Sequence, residues 1–443
     1  MGCLKMDNIV VAKFGGSSLA SAEQFKKVKN IVLEDARRRY VVPSAPGKRN
    51  SKDYKITDLF YLCHTHVDHG IAFDDVFSII EQRYKEIVKE IGVSIDIDSH
   101  LKEVKGKIAE GTTADYAASR GEYLNGLILA DYLNYEFVDA ADVIKFDRSG
   151  CFDSEKTKEA IKSKLSKIEK AVIPGFYGAM EDGRIKTFTR GGSDITGSII
   201  ARDVEADLYE NWTDVSGFLM ADPRIVENPK PIEKITYKEL RELAYMGATV
   251  LHEEAVFPAR EGGIPINIKN TNAPQDKGTI IINDVDFEDG NSTITGIAGK
   301  KNFTVISIEK AYMNAEIGFG RKLLSILETY GVAFEHMPSG IDTICLVLED
   351  ALLENKLDKI LDEIKRQCNP DSVQVIPNMA LIATVGRKMA KTVGVSEKVF
   401  SALAKNNVNI RMIDQGSSEI NIIIGVETED FEKAINSIYK VFN

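Results

Sequence analysis

The 443-residue chain is short of cysteine and has no surplus of positive charge, and each shortage narrows what it can be. Its five cysteines, Cys3, Cys63, Cys151, Cys345 and Cys368, are odd in number and contain no C-x-x-C pair. That pattern excludes a disulfide-stapled scaffold and predicts free thiols in a reducing compartment. Lysine and arginine number 56 against 67 aspartates and glutamates, a net charge of -11, which opposes general attraction to nucleic acid or anionic lipid. No stretch approaches the roughly 18 uninterrupted apolar residues of a membrane helix, and the first residues lack the apolar run of a secretory signal. Met6 stands where a myristoylation pattern wants Ser or Thr. A cytoplasmic protein without nucleic-acid or membrane partners is expected. With 44% apolar and 28% charged residues the composition is globular, and the length predicts two to four domains.

Apolar residues from Asn8 to Phe14 predict a strand that runs into Gly15-Gly16-Ser17-Ser18. A helix with Phe25, Val28, Ile31 and Val32 on one face follows. The alternation continues with strands at Tyr40 to Val42 and Ala171 to Phe176 and helices at Asp74 to Ile91 and Ser193 to Arg202. It predicts an α/β fold, a mainly parallel sheet sandwiched by helices. Pro223 to Pro231 reads as an exposed loop, and the acidic stretch DVDFEDGN from Asp284 to Asn291 reads as a linker. Beyond it the chain repeats at an offset of 76 residues, as Gly318 against Gly394 shows. The same offset pairs Leu324 with Phe400, Leu327 with Leu403, Val332 with Val408, Gly340 with Gly416 and Leu346 with Ile422. Each copy predicts a small α+β unit of βαββ type, suited to sensing a ligand.

Two glycine turns carry the chemistry. In Lys13-Phe14-Gly15-Gly16-Ser17-Ser18 the glycines let backbone amides approach a phosphate, and the following helix aims its positive end the same way. No Walker loop is present, because the lysine precedes the glycines. In Thr189-Arg190-Gly191-Gly192-Ser193-Asp194, Arg190 suits a carboxylate and Asp194 an ammonium, a pair that fits an amino-acid substrate. The segment Trp212-Thr213-Asp214-Val215-Ser216-Gly217-Phe218-Leu219-Met220-Ala221-Asp222-Pro223-Arg224 mixes aromatic, carboxylate and arginine groups suited to a nucleotide. His64-Thr65-His66-Val67-Asp68-His69 has the spacing of the zinc signature in metallo-β-lactamase-fold hydrolases, yet it follows a helical segment rather than a strand. A histidine-rich helix end is the expected structure, with no metal ligands assigned.

KFGGSS, SAPG with a later TDL, SRGEYL, TRGGSDITGSIIA and WTDVSGFLMADPRI occur in one order, and together they resemble the aspartokinases of the amino-acid kinase family. The repeat resembles that family's paired ACT modules. The resemblance implies an amino-acid kinase domain over residues 1–288, a first ACT domain over 289–375 completed by the tail around Phe431 to Val441, and a second over 376–443. It implies transfer of the γ-phosphoryl of MgATP to the β-carboxylate of L-aspartate, giving 4-phospho-L-aspartate. The attacking carboxylate is already ionised, so positioning and positive charge carry such a reaction.

By the same resemblance Lys13 neutralises the phosphoryl group, the amides of Gly15, Gly16 and Ser17 line it, and Asp194 shares the catalytic centre. Ser44, Thr57, Glu122, Arg190, Gly192 and Ser193 meet aspartate, with Arg190 on its α-carboxylate and Glu122 and Asp194 near its ammonium. Thr213, Asp214, Leu219 and Arg224 contact the nucleotide, and Met313, Ser339, Ile341 and Asp342 form the effector strip. Thr249 stands where many members have a lysine near ATP, and KRNSKDYKI inserts between Ala45 and Thr57. An end-product amino acid, lysine favoured, is the expected inhibitor, and a homodimer or dimer of dimers the expected assembly. The competing readings are a zinc-dependent hydrolase using HTHVDH and a non-catalytic amino-acid sensor.

Overall fold

The computed structural model describes residues 8–189, 191–248, 253–283 and 293–443. The expected linker from Asp284 to Asn291 therefore lies outside the described residues. Those described form two compact units, one within Met1–Phe218, Pro231–Tyr237 and Val250–Glu288, the other within Leu219–Lys230, Lys238–Thr249 and Asp289–Asn443. The segments Leu219–Lys230 and Lys238–Thr249, which a boundary at residue 288 assigns to the catalytic domain, thus gather with the C-terminal residues.

In the first unit an eight-stranded sheet runs in the order Glu136–Phe137, Ala171–Val172, Arg38–Pro43, Val10–Phe14, Leu208–Thr213, Ile266–Asn270, Thr279–Ile282, Lys234–Thr236. Every pairing is parallel except that of Ile266–Asn270 with Thr279–Ile282. The central strand Val10–Phe14 is buried along its whole length, as a strand covered on both faces must be. Alternation divides its side chains between the faces. Ala12 and Phe14 enter a core with Phe25, Val28, Ile31 and Val32 of helix Ala22–Glu34 and with Phe60, Phe77 and Leu124 of three further helices. Lys13 points to the other face, where helix Gly192–Asp203 lies.

Helix Asp74–Ile91 has the expected bounds, and helix Gly192–Asp203 exceeds its expected span by one residue at each end. The strand expected from Ala171 to Phe176 stops at Val172, ahead of Pro174 and Gly175. Ile185–Thr187, just before the second glycine turn, belongs to a separate three-stranded sheet with Lys145–Phe146 and Tyr177–Met180.

The second unit contains the repeat, built on one five-stranded antiparallel sheet in the order Thr343–Glu349, Gly296–Glu309, Ser372–Val385, Asn421–Glu427, Met412–Asp414. Gly318 and Gly394 cap helices Phe319–Thr329 and Val395–Lys405 with left-handed φ of 86° and 88°, so the repeat is repeated backbone geometry as well as spacing. The second copy has the expected strand Met412–Asp414 after its helix, whereas the first copy has only isolated bridges there, His336 to Val347 and Ser339 to Ile344.

The copies are interleaved, but not as expected. The tail forms helix Phe431–Phe442 packed beside helix Val395–Lys405 of the second copy, instead of completing the first. The crossover is made by strand Gly296–Glu309. Its beginning, Gly296 to Lys300, pairs with Leu381 to Val385 of the second copy, while Phe303 to Glu309 lies between Thr343–Glu349 of the first and Ser372 to Met379.

Candidate active site

The carboxyl ends of the two central parallel strands bring Lys13 and Asn211 side by side, since the register pairs these two positions directly. Lys13 is 6% exposed, and its Nζ lies 2.5 Å from Asp194 Oδ1 and 3.4 Å from Asn211 Oδ1. Asn211 Nδ2 donates to Asp194 Oδ1 at 2.8 Å, closing a triangle of cation, carboxylate and amide. Asn211 escaped sequence reasoning; its place two residues before Thr213 on a strand paired with Lys13 was the available signal. Asp194 sits in the first turn of helix Gly192–Asp203, entered through Gly191 and Gly192 with φ of 73° and 44°. A side chain on Gly191 would bring a Cβ 2.8 Å from that of Ala255. Ser193 is buried, its side chain filling the space that a Cβ on Gly175 would take.

The first glycine turn departs from expectation in one respect. A 3₁₀ turn, Gly16–Leu19, separates the strand from helix Ala22–Glu34, which Ser21 caps by accepting from Gln24 N. The Gly15 amide donates to Trp212 O at 2.9 Å, so it is not available to line a phosphate as expected. The amides of Gly16 and Ser17 carry no comparable bond among the described residues. Gly47 crosses the turn, its amide donating to Gly16 O at 2.8 Å, and a Cβ at Gly47 would lie 2.6 Å from Gly16 C. This crossing loop contains the inserted KRNSKDYKI, and buried Arg83 pins it. Arg83 Nη1 donates to Gly47 O at 3.1 Å, and Nη2 pairs with Asp53 at 2.5 Å. Arg83 and Asp53 were likewise missed, because no local pattern announces a contact between an inserted loop and a distant helix.

Glu122 lies on helix Ala114–Leu133 beside the same loop. Gly121 packs so closely that a Cβ would come 2.7 Å from Ala45 Cβ and 3.8 Å from Thr57 Oγ1, which places Ser44, Ala45 and Thr57 near Glu122. Ser44 accepts from Asn125 Nδ2 at 2.6 Å, and Asn125 also went unnoticed in the sequence. Glu122 is buried, and its Oε2 has no hydrogen-bond partner. Burial pushes its pKa up to about 8, against which the Ala45 amide and the charges of Arg120 and Lys13 pull weakly. A buried, half-satisfied carboxyl facing this loop is suited to receive a cation.

Thr213 Oγ1 donates to Asp214 at 3.2 Å at the end of the next strand. Leu219 and Arg224 fall in the second unit, where Leu219 is exposed and Arg224 forms a two-pronged pair with Asp222. Arg190 and Thr249 lie outside the described residues. In the effector strip, Lys310 N donates to Asp342 O, Tyr312 N to Asp342 Oδ1 and Asn314 N to Ile341 O, at 2.8, 2.8 and 3.1 Å. The turn at Met313 is thereby laced to Ile341 and Asp342, with Ser339 close by in sequence. Met313 itself is buried in the core with Phe319 and Leu323.

The histidine run occupies the end of helix Ile56–Asp68 and its cap. His64, His66 and His69 contact the carbonyls of Thr112, Ala72 and Thr65 respectively. Each ring thus contacts a backbone carbonyl, and among the described residues no group of three or more His, Cys, Asp or Glu side chains is placed to hold a metal ion. No described helix is long and apolar enough to cross a membrane.

With a mainly parallel sheet that sets Lys13 and two glycine turns at its strand ends, residues 8–270 match the amino acid kinase family, to which the chain belongs. Residues 382–442 match the ACT domain. The chain is 38% identical to aspartokinase 3 of Bacillus subtilis over 448 residues, covering 98% of each. It is 67% identical to the aspartate kinase of Clostridium acetobutylicum, whose crystal structure it matches with a TM-score of 0.93 over 99% of this chain and 100% of that one. Within the family it is therefore an aspartokinase, an ATP-dependent kinase with ACT domains. Aspartokinase III of Escherichia coli, solved with aspartate and ADP, is 26% identical with a TM-score of 0.72, covering 98% of this chain and 99% of that one.

Proposed function

We propose that the chain transfers the γ-phosphoryl group of ATP to the β-carboxylate of L-aspartate, and that the Lys13–Asp194–Asn211 triangle carries this chemistry. A β-carboxylate oxygen attacks Pγ, the bond from Pγ to the β,γ-bridging oxygen breaks, and the electron pair leaves with ADP. No proton needs to move, so the chain's task is to hold two anions together. Asp194 and Asn211 fix the Lys13 ammonium where the transferring group passes. A preorganised cation of this kind stabilises the transition state by about 3 kcal/mol. The amides of Gly16 and Ser17 address the phosphate. Glu122 takes the aspartate ammonium, Arg190 the α-carboxylate, and Ser44, Thr57, Gly192 and Ser193 shape the pocket. Thr213 and Asp214 address the nucleotide.

Magnesium brought by ATP would supply charge neutralisation of the phosphates. Asp194, whose Oδ1 is held by Lys13 and Asn211, would be the carboxylate of the site available to that ion.

The ACT repeat binds an end-product amino acid, and lysine is the leading candidate. The Escherichia coli enzyme was solved with lysine and aspartate, and this chain matches it with a TM-score of 0.76 at 26% identity. The strip at Met313, Ser339, Ile341 and Asp342 is the proposed site, in a cytoplasmic homodimer or dimer of dimers. An ATP-dependent hydroxamate assay tests the reading. Wild type should trap aspartyl phosphate and discriminate against glutamate. Lys13→Ala should lose about two to three orders of kcat, and a folded variant with near wild-type turnover refutes the assignment.

A further inference from the structure

A cavity of about 420 Å³ opens on the first unit beside helix Ala114–Leu133, lined in part by Lys107, Tyr116, Arg120, Tyr123, Asp139 and Arg184. The charged groups around its rim are already matched. Lys107 pairs with Glu103 at 2.7 Å, Arg184 with Asp182 at 2.7 Å, and Asp139 accepts from the Tyr177 hydroxyl at 2.7 Å and from Ala141 N at 2.9 Å. Arg120 is different. It is 5% exposed, yet no carboxylate pairs with it among the described residues.

Its guanidinium lies over three rings, 4.5 Å from the centroids of Tyr116 and Tyr123 and 5.1 Å from that of Tyr177. Aromatic faces stabilise the charge but accept none of its N–H bonds in the plane of the guanidinium. Within that plane Nε and Nη2 both donate to Ser119 Oγ, at 3.1 and 2.9 Å. Those two bonds use one edge of the fork. The opposite end, Nη1 with the second Nη2 hydrogen, presents two parallel donors, the geometry that a carboxylate or phosphate accepts. The other buried arginines of this unit show how the fold treats an arginine used for structure alone. Arg38 is given Glu210 and Ile31 O, and Arg83 is given Asp53 and Gly47 O. Glu122, two residues beyond Arg120, is turned about 200° round the helix toward Ala45, and none of the candidate active-site residues lines this cavity.

We propose that the cavity is a second small-molecule site of the kinase unit, taking a small organic anion whose carboxylate or phosphate docks end-on against Arg120 between tyrosine walls. Calorimetric titration of the full-length protein with inorganic phosphate and, separately, with succinate tests this. At least one probe should bind saturably, and which one identifies the oxyanion. Arg120→Gln should weaken that binding about tenfold or more, and Arg120→Lys should fail to restore it, because an ammonium lacks the fork. Ile185→Trp fills the cavity mouth while leaving Arg120 in place, and should also abolish binding if removal of Arg120 proves to unfold the helix. Phosphate also fits the glycine turn, so the titration is repeated on Lys13→Ala, where binding at this cavity should persist. Absence of binding by both probes overturns the proposal. So does binding that survives Arg120→Gln and Ile185→Trp but vanishes in Lys13→Ala.

Discussion

Glu122 should make aspartate binding steeply pH-dependent, and the size of the effect follows from its burial. With its pKa pushed up to about 8 in the ligand-free protein, only about one site in eleven is ionised at pH 7, against one in two at pH 8. The substrate ammonium pairs with the ionised form. If that pairing draws the pKa well below 7, the apparent aspartate affinity rises about fivefold between pH 7 and pH 8, and binding at pH 7 releases about 0.9 proton per site. KM for aspartate should therefore fall about fivefold across that unit while kcat changes little. Titration in buffers of differing ionisation enthalpy counts the proton. Glu122→Gln, fixed in the neutral form, should bind aspartate weakly at every pH with no proton released. A flat KM profile from pH 7 to 8 in wild type, with heats independent of buffer, would refute the placement of the ammonium at Glu122. Folding stability has the complementary sign. The folded-state pKa lies above the ordinary carboxyl value of 4.5, so the favourable protonation is fully present below that value and is lost as pH rises through about 8.

Gly47→Ala drives a methyl group to 2.6 Å from Gly16 C, backbone against backbone, so the crossing loop must lift from the glycine turn. It should raise KM for ATP severalfold while the melting temperature of the protein falls by only a few degrees, measured by kinetics and calorimetry; unchanged ATP kinetics would detach the loop from the nucleotide site. Asp342→Ala removes the acceptor of the Tyr312 amide, loosening the turn at Met313, and should weaken inhibition by lysine about tenfold with uninhibited kcat near wild type. Retained inhibition would place the effector elsewhere.

Local physics left its mark on the sequence. Val10–Phe14 reads as an interior strand because it is apolar but for Lys13, and Ala22–Glu34 must be a helix because Phe25, Val28, Ile31 and Val32 fall on one face. The repeat was visible because duplicated backbone needs duplicated caps, and only glycine takes the left-handed conformation of Gly318 and Gly394 without strain. The lysine before the first glycine turn and the aspartate after the second were legible for the same reason, since each sits at a fixed offset from a turn.

Only tertiary structure decided what those residues meet. Lys13 reaches Asp194 and Asn211 because the sheet sets Leu208–Thr213 beside Val10–Phe14, a pairing between chain segments far apart that no short-range period encodes. The same packing removes Gly15 from the phosphate-binding set by giving its amide to Trp212, and raises the pKa of Glu122 by burying it against a loop from elsewhere. Strand exchange between the ACT copies had the same origin. A strand as long as Gly296–Glu309 satisfies its backbone against whichever neighbours lie alongside; Ser372–Val385 runs beside both of its halves, and the second half gains Thr343–Glu349 on its other edge.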